Sequence, residues 1–246
     1  MQQTILPILV LGFLLGMKHS LDVDHLAAVS TMIAGHRNRW RSVAVGIWWG
    51  LGHSASLLIL GGAIILFGVT FPPGVSLGLE FCVGVMLMVL GGRVLLRLRK
   101  GGTLHLHAHE HAGRLHIHPH VHASAAASHP PGGADAGHHA LAGSAGRTPK
   151  TSLLVGMAHG AAGTAGLTLL LLPTMPTKAM SVLYLGVFGS GSILGMSLAT
   201  LIMSVPLGML GTGGRAGTVV SILAGWIGVG VGLMLAVQTG GELLRM

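Results

Sequence analysis

One cysteine, Cys82, is all that this 246-residue chain offers, so it has neither a disulfide framework nor a Cys-x-x-Cys metal site. Charge is almost as scarce: 8% of residues are charged and only 6 are acidic. Aromatics make up 4%, and the basic residues gather at the ends of apolar runs, so the net charge of +8 points to bilayer orientation and not to nucleic acid. No Walker A sequence is present, which excludes an ATP-driven engine within this chain. No His-Glu-x-x-His pattern occurs, which removes the commonest zinc-hydrolase signature. Residues 1–15 carry no basic n-region and read as part of a first span, not as a cleaved leader. What remains is apolar: 51% hydrophobic residues and 41 glycines are the composition of a membrane protein.

Six runs are long enough to cross a bilayer, which takes about 20 residues. They cover 4–35, 42–68, 75–97, 152–173, 180–204 and 216–239. The expected fold is an all-α polytopic bundle of about six transmembrane helices, in two halves of three spans, 1–100 and 151–246. The first run would be roughly 48 Å long as one helix, well beyond a ~30 Å hydrocarbon core. It is therefore tilted, kinked near Gly16 to Ser20, or split in two. Arg37, Arg39 and Arg41 follow run one, Arg97, Arg99 and Lys100 follow run three, and Arg215 precedes run six. With single crossings these fall on one side, which the positive-inside rule makes cytoplasmic, leaving both termini outside the inner membrane.

Residues 101–150 differ in character. They hold 11 of the 16 histidines, among them His105, His107, His109, His111, His116, His118, His120 and His122. We read the segment as a disordered cytoplasmic loop that binds transition metals weakly at several places, against the bland alternatives of a spacer or a pH-sensitive polycation.

The densest chemistry lies in run one, where Lys18, His19, Asp22, Asp24 and His25 interrupt an apolar stretch. Charge at membrane depth costs roughly 3 kcal/mol or more per group, and Asp and His have stems too short to snorkel, so these groups face a protein interior. Two imidazoles and two carboxylates suit a first-row divalent ion. On a regular helix His19, Asp22 and His25 fall at roughly 0°, −60° and −120°, one arc, while Asp24 lies at about +140°. Asp24 therefore either orients a ligand, pairs with Lys18, or marks a broken helix of the kind that builds midplane ion sites.

The halves repeat weakly. Gly16-Met-Lys-His19 matches Gly156-Met-Ala-His159, and Gly50-Leu-Gly-His-Ser-Ala-Ser56 resembles Gly186-Val-Phe-Gly-Ser-Gly-Ser192. Three spans per half would invert the second copy. His53 and His159 thereby join the candidates for ligation or relay, beside the ordinary reading of an interhelical hydrogen bond. Ser54, Ser56, Ser190 and Ser192 read as packing residues, Arg93 as a snorkelling cation, and the 13 methionines as apolar filler.

His19-Ser-Leu-Asp-Val-Asp24-His25 has the His-x4-Asp-His form of the nickel/cobalt transporter family. Leu26-Ala-Ala-Val29, the Gly-x-Gly-His-Ser pattern at 50–54 and Gly-Met-Ala-His-Gly in the second half also resemble it, and in particular its short, urease-accessory-like members. The resemblance implies that His19, Asp24 and His25 recognise metal, with Asp22 and His53 in support. It also implies Ni2+ or Co2+ as transported substrate and no prosthetic group. Cytosolic nickel chaperones or urease and hydrogenase maturation proteins would be partners, beside membrane lipid. The expectation is a non-enzymatic permease, importing rather than exporting. An efflux protein of the same group, an intramembrane metal-dependent hydrolase and an anchored metal sensor are the rivals.

Overall fold

A computed structural model of the chain describes residues 2–34, 38–68, 72–99, 103–111, 114–122, 149–162, 175, 177–209 and 215–246. Seven helices appear among them. They are α1 (Gln2–His19), α2 (Val23–Ile33), α3 (Arg39–Phe67), α4 (Pro73–Arg99), α5 (Pro149–Ala161), α6 (Lys178–Met209) and α7 (Arg215–Leu243). Four of these, α3, α4, α6 and α7, are long and apolar enough to cross a membrane. The bent pair Ile5–His19 and Val23–Ile33 makes a fifth span if taken together. The run expected over 152–173 is represented by α5, and its residues 163–173 lie outside the described residues.

The first run is broken, one of the outcomes its excess length allows. α1 stops at His19, and the chain turns through Ser20 to Asp22 on short backbone bonds, Leu21 N–H to the Lys18 carbonyl at 2.9 Å and Asp22 N–H to the His19 carbonyl at 3.1 Å. α2 then leaves at 56° to α1. Asp22 occupies the N-cap position of α2 with extended backbone, yet its side chain makes no capping bond. That carboxylate is engaged by His19 instead.

α2 has 11 residues, about 16 Å of helix, too short to cross alone. It is the buried centre of the bundle: His25 and every residue from Ala27 to Ile33 are buried, and α2 touches α3, α4, α6 and α7. The long helices enclose it in the pairs α4 with α7, α3 with α6, α3 with α5 and α1 with α6. Their outward faces carry exposed Leu, Ile, Val, Phe and Trp, for example Ile59, Phe67, Ile202, Trp226 and Val237, as lipid contact demands.

Glycine permits the closest approaches. A Cβ on Gly16 would collide with the Phe188 carbonyl, and one on Gly191 with the Phe13 carbonyl, which locks α1 to α6. A Cβ on Gly156 would strike the Trp49 carbonyl and one on Gly52 the Leu153 carbonyl, which locks α3 to α5. Without a hydrophobic drive between helices in lipid, such small-residue contacts and interhelical hydroxyl bonds supply the association energy. The hydroxyls are present: Ser54 donates to the Gly189 carbonyl at 3.0 Å, Ser56 to the Met157 carbonyl at 2.8 Å and Ser192 to the Gly16 carbonyl at 3.3 Å. At the solvent ends, the Asn38 side chain caps α3 by accepting from Trp40 N–H, and Gly68 closes it in the left-handed conformation at φ 65°.

Part of the segment 101–150, read above as a loop, lies among the described residues. Strands β1 (Thr103–His111) and β2 (Arg114–His122) pair antiparallel, with His105 opposite His120, His107 opposite His118 and His109 opposite His116. The physical reason is legible afterwards: histidine alternates with Leu, Ala, Ile and Val at period two, which is a strand pattern and not only a compositional bias. Residues 123–148 lie outside the described residues.

Candidate metal centre

Breaking the first run changes which residues meet. The break turns α2 so that Asp24, which would lie on the far face of a continuous helix, points at His25 and at His159 of α5. Asp24 Oδ1 accepts from His25 Nδ1 at 3.1 Å and Asp24 Oδ2 accepts from His159 Nε2 at 2.9 Å. Asp24 thus orients two imidazoles at once and does not pair with Lys18; among the described residues its ionic partners are these histidines. Asp22 Oδ2 does the same for His19, accepting from Nδ1 at 2.8 Å. Its side chain is 46% exposed, so Asp22 lies at the rim.

Four imidazoles converge behind these carboxylates. His25, His53 and His159 are fully buried, and His19 is 9% exposed. The ring of His25 lies 4.6 Å from that of His19, 5.1 Å from His53 and 4.2 Å from His159, while His19 and His53 are 5.3 Å apart. One potential ligand atom from each of His19, His25 and His53 falls within 4.8 Å of the others, and a second such set is Asp24, His25 and His159. Each carboxylate takes an N–H from its histidine, which leaves the other ring nitrogen as an unprotonated lone pair. Those nitrogens, His19 Nε2, His25 Nε2 and His159 Nδ1, have no hydrogen-bond partner among the described residues, and neither nitrogen of His53 has one.

An unpaired buried polar atom costs about 1–3 kcal/mol, and five sit together here. A carboxylate–imidazole pair presenting its free lone pair inward is how proteins orient and strengthen a metal ligand. The two sets share His25, but in the second Asp24 is already hydrogen-bonded to both histidines. The three-histidine set is therefore the one with donors to spare. An ion about 2.1 Å from each nitrogen needs them roughly 3–4 Å apart, somewhat closer than the 4.8 Å limit within which they lie.

All six residues singled out in the sequence, His19, Asp22, Asp24, His25, His53 and His159, thus lie in one neighbourhood, with the two aspartates on the outer side of the imidazoles. Trp49 was missed. It is fully buried, its ring packs 5.4 Å from His25 and 5.7 Å from His159, and its indole N–H is unpaired. Its position one helical turn before His53 was the available signal. Phe188 flanks His19 at 5.7 Å and closes the other side. A cavity of about 250 Å³ lined by Thr31, Met32, Arg93 and Thr151 lies further along α2, and none of the histidines lines it.

The chain is 34% identical to the urease accessory protein UreH of a Bacillus species (strain TB-90) over 205 residues, covering 83% of this chain and 79% of the relative. Over 51 residues, 20% of the chain, it is 49% identical to the chloroplast protein FOR GROWTH AND FERTILITY 2 of Arabidopsis thaliana, of which it covers 13%. No family model matches the chain, and no solved structure matches it.

Proposed function

The chain belongs to the family of urease accessory protein UreH, within the nickel/cobalt transporters, and on that premise we propose that it is a secondary permease for Ni2+ whose site is built from His19, His25 and His53. The observation that carries this reading is the set of buried imidazole nitrogens left without a protein partner while Asp22 and Asp24 hold the others. Imidazole suits Ni2+, Co2+ and Zn2+, and the affinity order places Ni2+ above Co2+ at an unstrained site. The two carboxylates offset the dication's charge without entering its first coordination sphere. Capture proceeds as the hydrated ion meets Asp22 and His19 at the rim, exchanges water for the His19 and His25 nitrogens, and is completed by His53. His159 offers the next lone pair inward, through its shared carboxylate Asp24.

An inverted repeat gives this site its movement. The glycine contacts support it by exchanging: Gly16 against Phe188 corresponds to Gly156 against Trp49, and Gly191 against Phe13 to Gly52 against Leu153. The correspondence sets His159 opposite His19 in the repeat and Ser192 in the place of His53, three residues, nearly one turn, along from the match of Gly50 with Gly186. Rocking of one half against the other about these glycine seams would expose the site to alternate faces. We place the protein in the cytoplasmic membrane, with the histidine-rich segment and its nickel-handling partners on the cytoplasmic side, and assign the direction as import.

The test is flux into proteoliposomes holding the purified protein, with Ni2+, Co2+ and Zn2+ in parallel. Saturable Ni2+ uptake that disappears in His25→Ala and His53→Ala and survives deletion of 103–147 is the expected result. Tight binding without flux for any metal would refute the permease and favour a membrane-anchored sensor. Uptake confined to inside-out vesicles would reassign the direction to efflux.

A further inference from the structure

We propose that the cavity between α2, α4 and α5 binds an anionic phospholipid, whose phosphate pairs with Arg93 and Arg97 and whose upper acyl chain lies on the apolar walls. The site is apart from the bundle histidines and stands whether or not the bundle carries nickel. It originates in the packing. α4 packs on α7 and α5 packs on α3, so α4 and α5 barely meet, and a gap remains between them with α2 behind it. That gap is the cavity of about 250 Å³. Its polar lining is Thr31 from α2, Arg93 and Arg97 from α4, and Thr151 from the first turn of α5. Methionine, valine and leucine side chains make up the rest.

Charge identifies the ligand as an anion. Arg93 and Arg97 are one helical turn apart, so both lie on one face of α4, where like charges repel. Arg93 has no hydrogen-bond or ion-pair partner among the described residues, whose ion pairs all join histidine to aspartate. Glu80, the only carboxylate on α4, is about 20 Å back along the helix from Arg93. The dipole of α5 adds positive potential at Thr151. Such a place repels a divalent cation and attracts a phosphate, whose oxygens match the guanidinium fork two at a time.

Shape narrows the anion to a lipid. The cavity is smaller than the roughly 300–1,000 Å³ that encloses a whole small ligand, so it seats part of a larger molecule. Val89 lines it and is 48% exposed, so the apolar wall runs out onto the surface that faces the bilayer. A free anion would use the arginines and leave those walls in water, whereas a phospholipid covers both. Both arginines lie within the last two turns of α4, the depth at which long cationic side chains reach the head groups. Because the walls come from three helices, an occupant bridges them and stabilises the folded bundle by mass action.

The experiment follows the melting temperature of full-length protein in a non-ionic detergent, stripped of lipid and metal. It is titrated in parallel with phosphatidylglycerol, with phosphatidylcholine of the same chains, and with inorganic phosphate. Saturable stabilisation by phosphatidylglycerol, beyond that of phosphatidylcholine and without any from phosphate, is the expected result. Arg93→Gln and Arg97→Gln should each raise the phosphatidylglycerol midpoint about tenfold, the loss of one charged hydrogen-bonding partner. Arg41→Gln removes the same charge from the start of α3, outside the cavity, and should leave the midpoint unchanged. Leu90→Trp fills the cavity at constant charge and should raise the midpoint too; the arginine variants decide if that chain does not fold. Equal stabilisation by the two lipids would overturn the proposal, and so would protection by phosphate alone, which would make the occupant a free anion. An equal loss in Arg41→Gln and Arg93→Gln would also overturn it, because diffuse surface charge would then suffice. No metal enters these melts, so failure of the lipid site and failure of the permease are read separately.

Discussion

Asp24→Asn is the most informative single change, because it alters charge and hydrogen bonding while keeping shape. In the native chain one carboxylate accepts from His25 at 3.1 Å and from His159 at 2.9 Å, and so fixes both tautomers. An amide can accept from only one of them; its NH2 group faces the other ring nitrogen. That histidine must turn its lone pair toward the amide and its proton toward the ion, which removes one well-presented donor and strips a negative charge from beside a dication. Loss of a partner of this kind costs about 10–100-fold in metal affinity, or about 1.4–2.7 kcal/mol. Direct removal of a ligand by His25→Ala should cost more, and the two changes together should fall short of additive, since both act on His25. Equilibrium Ni2+ binding to purified protein, with flux measured alongside, reads all three. Wild-type affinity in Asp24→Asn would refute the assignment of Asp24 as the group that orients the site, and a loss equal to that of His25→Ala would make it a direct ligand instead.

The bundle makes three further predictions. His53→Leu should abolish Ni2+ binding yet leave the metal-free protein as stable or more stable in a detergent melt, because two buried nitrogens without partners are replaced by apolar surface. A lower melting temperature would mean that His53 is held by something besides an ion. Gly156→Val should lower the yield of folded protein and displace both Trp49 and His159, since its Cβ meets the Trp49 carbonyl, whereas Gly186→Ala, with nothing within 4 Å, should be neutral or stabilise by up to about 1 kcal/mol. Size-exclusion profiles and melts distinguish the two. Ni2+ affinity should fall on acidification, because protons compete for the same lone pairs that bind the ion, and equilibrium binding across a falling pH series measures it. Affinity that stays constant until the protein unfolds would argue against ligation by titratable lone pairs.

Much of this protein is legible from composition and spacing. A bilayer forces apolar runs of known length, so the runs later occupied by α3, α4, α6 and α7 stand out in the sequence, and so does the excess length of the first run. The cost of burying charge singles out His19, Asp22, Asp24 and His25 before any coordinates. Composition and the period-two alternation of 103–122 do not by themselves fix a strand register. Helical periodicity likewise could not assign Asp24, since an angle on an ideal helix presumes that the helix continues. The division of labour among the six residues was decided by the tertiary fold alone. The break at Ser20 to Asp22, the turn of α2 by 56° and the glycine seam that brings α5 against α3 are long-range packing results. Together they turn two aspartates into orienting groups and leave the lone pairs of four histidines facing one another.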